Sequence, residues 1–387
     1  MTIKELAYSS HQQLQASTGA SLRRAHIYEL LAASFGFNTY AALGVENVLT
    51  QQRSDDERIA SHCAFVNRRC IELGYPPKIA DTVSVELGSF LKERQIGVVP
   101  ISEFIRRLHG NRSLVAVQSI DYDNEQFADE KNDRLTARLS DNDEIDISPL
   151  ALEGLEIAAG KGNALAHYAL ALIYAPEDND ETDRQGGSSY WYSQAQQGRV
   201  LTGVQSEWAD AYAARLAQAD KYANHLREAG RLGNQSALLD LADRFGDPSY
   251  FERRHDDTGA DPSVIAEIAE RLGRVADAKH WLSVAAERGD LEAMRRLIEG
   301  HDHGDLERCW TWVYLSRLFG TDITKDAHYA INDDGTEYDD EIGGPAYVAG
   351  RDGVVLEPLD AVQDAAARGA AQDLFSRVQQ SVAMPPG

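Results

Sequence analysis

One phrase returns three times along the chain and limits the fold more than any other feature. It reads Ala158-Ala159-x-x-Gly162-Asn163, then Ala229-x-x-x-Gly233-Asn234, then Ala285-Ala286-x-x-Gly289-Asp290. Each copy continues alike, with Ala166 and Leu170, Ala237 and Leu241, Ala293 and Leu297. Such repetition marks stacked supersecondary units, none of which can bury its apolar face alone. Small and apolar residues at steps of four describe helix. The Gly suits a C′ position, where φ must be positive and a Cβ would be penalised. Asn163, Asn234 and Asp290 then stand where the next helix needs an N-cap. The phrase therefore predicts one helix ending and another beginning at each copy.

Further copies extend the series. Leu170-Ala171-x-x-Tyr174 and Leu241-Ala242-x-x-Phe245 place a ring over a close helix contact. Trp281 precedes Gly289 by eight residues, as Tyr190 precedes Gly198 and Trp312 precedes Gly320; Ala365-Ala366-x-x-Gly369 closes the series. The first two steps between glycines are 36 and 35 residues, the length of a two-helix repeat. The steps of 56 and 49 residues require insertions near residues 247–262 and 325–358. Over roughly residues 150–378 this pattern resembles the Sel-one-like repeat family, α/α solenoids akin to tetratricopeptide repeats. Thr202 and Ser316-Arg317 depart from the small residues that the repeat wants. The fold class expected is all-α: an N-terminal helical domain (1–118), an acidic linker (119–147) and a solenoid (148–387) of about five to six two-helix repeats.

In the N-terminal region the pattern predicts helices over residues 3–15, 22–35 capped by Ser21, a short one from Asn38 or Thr39 to Leu43, 55–73, 79–94 and 101–108. A short strand is expected over 114–120. Arg24-Ala25-His26-x-x-Glu29-Leu30-Leu31-Ala32-Ala33-x-x-Gly36-Phe37-x-x-Tyr40-Ala41-Ala42-Leu43 resembles a segment found on bacterial Sel-one-like proteins and on a glyoxalase-related accessory domain. That likeness implies a small helical module and no catalytic residues.

The formal net charge is −24, which argues against nonspecific binding to nucleic acid or anionic membrane and favours a basic partner. Residues 121–146 hold ten acidic and three basic residues, and residues 322–341 hold eight and one. The expectation for these runs is solvated loop and linker. No apolar stretch approaches the ~20 residues of a membrane helix. Three cysteines, an odd number, argue against a disulfide framework and for a reduced, cytoplasmic setting.

Four local patterns invite a chemical reading. Ala32-x-x-x-Gly36 with a short following helix imitates a helix-turn-helix, but residues 40–49 carry no basic side chain to read base edges. Asn332, Asp334 and Glu341 around Gly335 imitate a calcium loop whose first ligand position falls on Ala330, which cannot ligate. His301-Asp302-His303 with Asp305 lacks the i, i+4 spacing that aims two imidazoles at one ion. No phosphate loop, nucleophile elbow or paired-Cys motif occurs. The expectation is a protein without chemistry of its own, metal or cofactor.

By the tetratricopeptide likeness, the first helix of each pair lines a concave binding face. Counting −5, −2 and +2 from the Leu anchors names Leu165, Tyr168 and Leu172, then Ser236, Leu239 and Asp243, then Glu292, Arg295 and Glu299, with His303 one turn beyond. The expected function is a protein–protein adaptor or scaffold that grips a peptide or helix there. The alternatives are an acidic antitoxin, immunity factor or nucleic-acid mimic that neutralises a basic partner, and a nucleic-acid-binding regulator acting through the N-terminal helices.

Overall fold

The structure, a computed structural model, describes residues 1–51, 63–109, 147–176, 187–253, 259–332 and 346–383. The fold is all-α, with two small two-stranded antiparallel sheets among the described residues. These residues divide into two compact units, one running to Leu238 and one from Leu239 onward.

The first unit holds α1 (Ile3–Thr18), α2 (Arg24–Ser34), α3 (Tyr40–Glu46), β1 (Asn47–Gln51), α4 (Cys63–Glu72), α5 (Pro77–Glu93), β2 (Ile96–Pro100) and α6 (residues 101–109). It continues with α7 (Pro149–Gly160), α8 (Ala164–Tyr174), α9 (Gly187–Gln196) and α10 (Val204–Arg231). A capping box between Thr2 and Glu5 starts α1, and Thr39 caps α3 through the amide of Ala42. The expected Ser21 cap is not used: α2 starts at Arg24, behind Arg23, which makes no side-chain cap.

In this unit two strands escaped the sequence reading. β1 pairs antiparallel with β2, from Asn47↔Pro100 to Gln51↔Ile96. Val48, Leu49 and Thr50 are buried in succession, so no alternation betrays the strand. The strand expected over 114–120 and the acidic run 121–146 lie outside the described residues.

Packing also redraws the sequence-based boundary. Leu150 of α7 belongs to the same core as Ile3, Leu6, Leu30, Leu87 and Phe90. α7 lies against β1: a Cβ on Gly154 would stand 3.2 Å from Val48 Cγ1. Glu153 accepts the Ile3 amide at 2.6 Å. The helix counted as the start of the repeats is thus part of the N-terminal body.

The second unit takes over within α11 (Gln235–Phe245) and holds α12 (Ser249–Glu252), α13 (Pro262–Arg271), α14 (Val275–Glu287) and α15 (Leu291–Arg296), which runs on as a π-turn (Leu297–His301). Then come α16 (Leu306–Leu318), a hairpin of β3 (Ala327–Ile331) and β4 (Tyr347–Arg351), and α17 (Ala361–Ala383). The hairpin and α12 occupy the two expected insertions. Trp312, Leu282, Met294, Leu297 and Ala367 belong to its core.

The three junctions are built as the phrase predicts. Gly162, Gly233 and Gly289 have φ of 85°, 93° and 101°. The next residue serves two helices. The Asn163 amide donates back to Ala158 O at 3.2 Å, closing α7, while its side chain accepts from Ala166 N at 2.9 Å, opening α8. Asn234 does the same between Ala229 and Ala237, and Asp290 between Ala285 and Ala293.

Two expected turns are missing. Equal spacing of Gly198 and Gly233 demanded a break between them, yet α10 is one helix of 28 residues. From Val204 to Ala229 there is no Gly or Pro to stop it. Nor does Gly369 end a helix; it lies within α17.

Candidate functional site

The register argument placed Tyr168, Leu172, Leu239 and Arg295 on an open face, and the structure buries all four. α8 reads ALAHYALALIY, apolar around its whole circumference, so packing against α7 and α10 leaves it little open surface. Leu165 is exposed, at 39 %. Ser236, Glu292, Glu299 and His303 are exposed, and Asp243 is half-buried.

The same residues show what fills the expected groove. In the first copy the Tyr168 hydroxyl lies 3.3 Å from His109 Nε2 of α6. In the third copy Arg295 donates from Nη1 to Asp352 O and from Nη2 to Ile323 O, both at 3.0 Å. Glu292 pairs with Arg351 of β4, and Glu299 lies 3.9 Å from Arg295. Within each unit, residues marked for a partner are engaged by the chain's own segments. Composition could not reveal this, because the contacts join positions up to 59 residues apart.

The His301–Asp305 cluster is structural. Asp302 has a fully buried side chain, with Lys279 Nζ 2.6 Å from Oδ1 and Arg308 Nε 3.1 Å from Oδ2. The Trp312 indole donates to Oδ2 at 2.9 Å. Burial pushes the Asp302 pKa up; hydrogen bonds from Lys279 and Trp312, with the Arg308 charge, outweigh it and hold the group below the usual carboxylate range. Asp305 caps α16 through Arg308 N, and His301 Nε2 lies 3.6 Å from Glu270. Of the calcium-loop residues, Asp334, Gly335 and Glu341 lie outside the described residues. The helix-turn-helix imitation ends differently: α3 spans only seven residues and the chain continues directly as β1.

Two open surfaces stand out among the described residues. The first is the hairpin of α9 and the front half of α10. Of its described side chains up to Lys221, only Ser188 and Ala209 are buried. Val204, Trp208, Tyr212 and Leu216 recur every four residues and so share one side of the helix. Val204 is 54 % exposed, Trp208 43 % and Leu216 40 %. Tyr192 lies against Tyr212 with ring centroids 5.3 Å apart, beside an edge-on Tyr190–Trp191 pair. Arg215 ties the two helices together, reaching Ser188 Oγ at 2.8 Å and lying 5.5 Å from the Tyr212 ring centre. Sequence reading missed this surface, although Tyr190-Trp191-Tyr192 and the four-residue stripe were both visible.

The second is an open cleft of about 460 Å³ in the second unit, lined by Asp243, Val264, Glu267, Ile268, Glu270 and Arg271. Asp243 pairs with Arg271 across α11 and α13. Arg296 pairs with Glu270 at 2.5 Å and lies 3.6 Å from Glu267. The lining carries three carboxylates and one guanidinium, beside the apolar Ile268 and Val264.

The chain matches no protein-family model, no curated protein and no solved structure. No helix among the described residues is long and apolar enough to cross a membrane.

Proposed function

We propose that the chain is a non-catalytic adaptor of the Sel-one-like kind. It binds a protein partner through the aromatic stripe of the α9–α10 hairpin. The observation that carries this reading is the stripe itself: apolar side chains at helical spacing on an element with scarcely any core. Large apolar patches left open on a helix face are the usual form of a helix-binding surface. Trp and Tyr are the side chains that most often dominate binding energy at such surfaces. The partner segment is a helix with an apolar face and basic edges, in keeping with the chain's net charge of −24. The odd number of cysteines, three, argues against a disulfide framework and supports a reducing, cytoplasmic setting.

The test compares complexes recovered from native lysate by the wild-type chain, by Trp208→Ala/Leu216→Ser and by Glu292→Gln/Glu299→Gln. The stripe variant loses its partner with helicity unchanged, and the glutamine variant keeps it. Full retention by the stripe variant overturns the reading.

The acidic rim of the cleft favours a second reading, neutralisation of a basic partner. Salt separates the two. Binding to the rim collapses between low and high ionic strength, whereas stripe binding persists.

A further inference from the structure

We propose that Asp326, His328 and Asp352 form a binding site for one divalent transition-metal ion, with Zn²⁺ the ion of choice, at the base of the β3–β4 hairpin. Asp326 immediately precedes β3, His328 is its second residue and Asp352 immediately follows β4. The antiparallel register, Ala327↔Arg351 and His328↔Gly350, brings the entering and leaving chains side by side. His328 Nε2 thereby stands 3.0 Å from Asp352 Oδ1. The ligand atoms of all three residues lie within 4.8 Å of one another.

The approach is built into the backbone. Gly350 has φ of +105°, and a Cβ there would stand 1.9 Å from Ala327 O. A Cβ on Gly353 would stand 2.2 Å from Thr324 O. Gly350, two residues before Asp352, and Gly353, next after it, let the leaving chain press against residues 324–327. The Gly353 amide donates to Asp326 Oδ1 at 2.8 Å, and buried Arg295 holds the Asp352 carbonyl.

The chemistry selects the ion. Two carboxylates face one imidazole, and neither has a Lys or Arg partner among the described residues. Arg295 takes the backbone of Asp352, and Arg351 turns to Glu292. Zinc binds His nitrogen and carboxylate oxygen at about 2.0–2.2 Å, which sets neighbouring donors roughly 3.3 Å apart. The His328–Asp352 spacing already suits this, and exposed Asp326 reaches it by side-chain rotation. Water completes the shell. Calcium, which takes six to eight oxygens, is ill served by the imidazole.

The test uses the full chain after chelation, titrated with ZnCl₂ by calorimetry beside His328→Ala, Asp352→Asn and His301→Ala/His303→Ala. The wild type and the double His variant bind one more equivalent than His328→Ala or Asp352→Asn, and Ca²⁺ does not displace it. Substituting Co²⁺ gives a visible d–d band that His328→Ala lacks. Circular dichroism confirms that exposed His328 can be removed without unfolding. Equal stoichiometry in the wild type and His328→Ala, loss of the equivalent in His301→Ala/His303→Ala, or displacement by Ca²⁺ overturns the proposal.

Discussion

The two halves of α10 share one unbroken backbone and sit in opposite environments. From Tyr222 onward the helix buries Tyr222, Ala223, Leu226 and Ala229, and it packs against α8. Before that, only Ala209 is buried. Helix propensity does not distinguish the halves, since both are built largely from Ala and charged residues. The difference is what lies opposite. One half spends its apolar side chains on folding, and the other leaves Trp208 and its neighbours facing outward. Long helices of this kind let a chain hold a surface away from its core without ordering a new one.

Breaking the packed half gives the largest expected effect. Leu226 is fully buried, and Leu226→Ala lowers stability by about 2–5 kcal/mol, read from urea unfolding. Next comes the support of α8. Asn163→Ala removes its cap and the Asn163 side-chain bond to Val45 O, lowering stability by about 0.5–2 kcal/mol.

A smaller effect sharpens the comparison at the point where the halves meet. His167 Nδ1 and His225 Nδ1 lie 3.0 Å apart, so the contact accommodates one proton, and Lys221 lies nearby, 4.7 Å from the Tyr174 ring centre. Glu228 also faces His167. Burial, then the His167 and Lys221 charges, hold the His225 pKa below its ordinary 6.5. The unfolded chain therefore takes up this proton first. The contribution is fully present above pH 6.5, and it is lost as pH falls from there towards the lower folded value. Unfolding midpoints measured at pH 7.5 and 5.5 drop more for the wild type than for His225→Gln. The smallest effect falls on the bare half: Trp208→Ala changes stability by no more than about 0.5 kcal/mol. A large loss there would mean that the stripe serves the fold.

What the sequence made legible follows from range. The Gly-Asn and Gly-Asp junctions are local, because a positive φ and an N-cap are settled within a few residues; Gly162–Asn163 and Gly289–Asp290 behave accordingly. Two features failed where spacing was allowed to overrule composition. Nothing between Val204 and Ala229 stops a helix, yet repeat length asked for a turn. Ala-rich surroundings carry α17 through Gly369. The binding face failed for another reason. Whether Arg295 meets solvent depends on Asp352 and Ile323, which no periodicity around Leu297 can report. Of the expected site residues, Asp243 lines an open cleft.

The hairpin clipped to Arg295 and Glu292 behaves as a tethered ligand. A segment joined by a short linker presents itself at an effective concentration on the order of millimolar. A free peptide seeking the outer surface of α15 competes with that standing local dose. Its apparent affinity falls by the factor by which the hairpin's local concentration exceeds the hairpin's own dissociation constant for that surface.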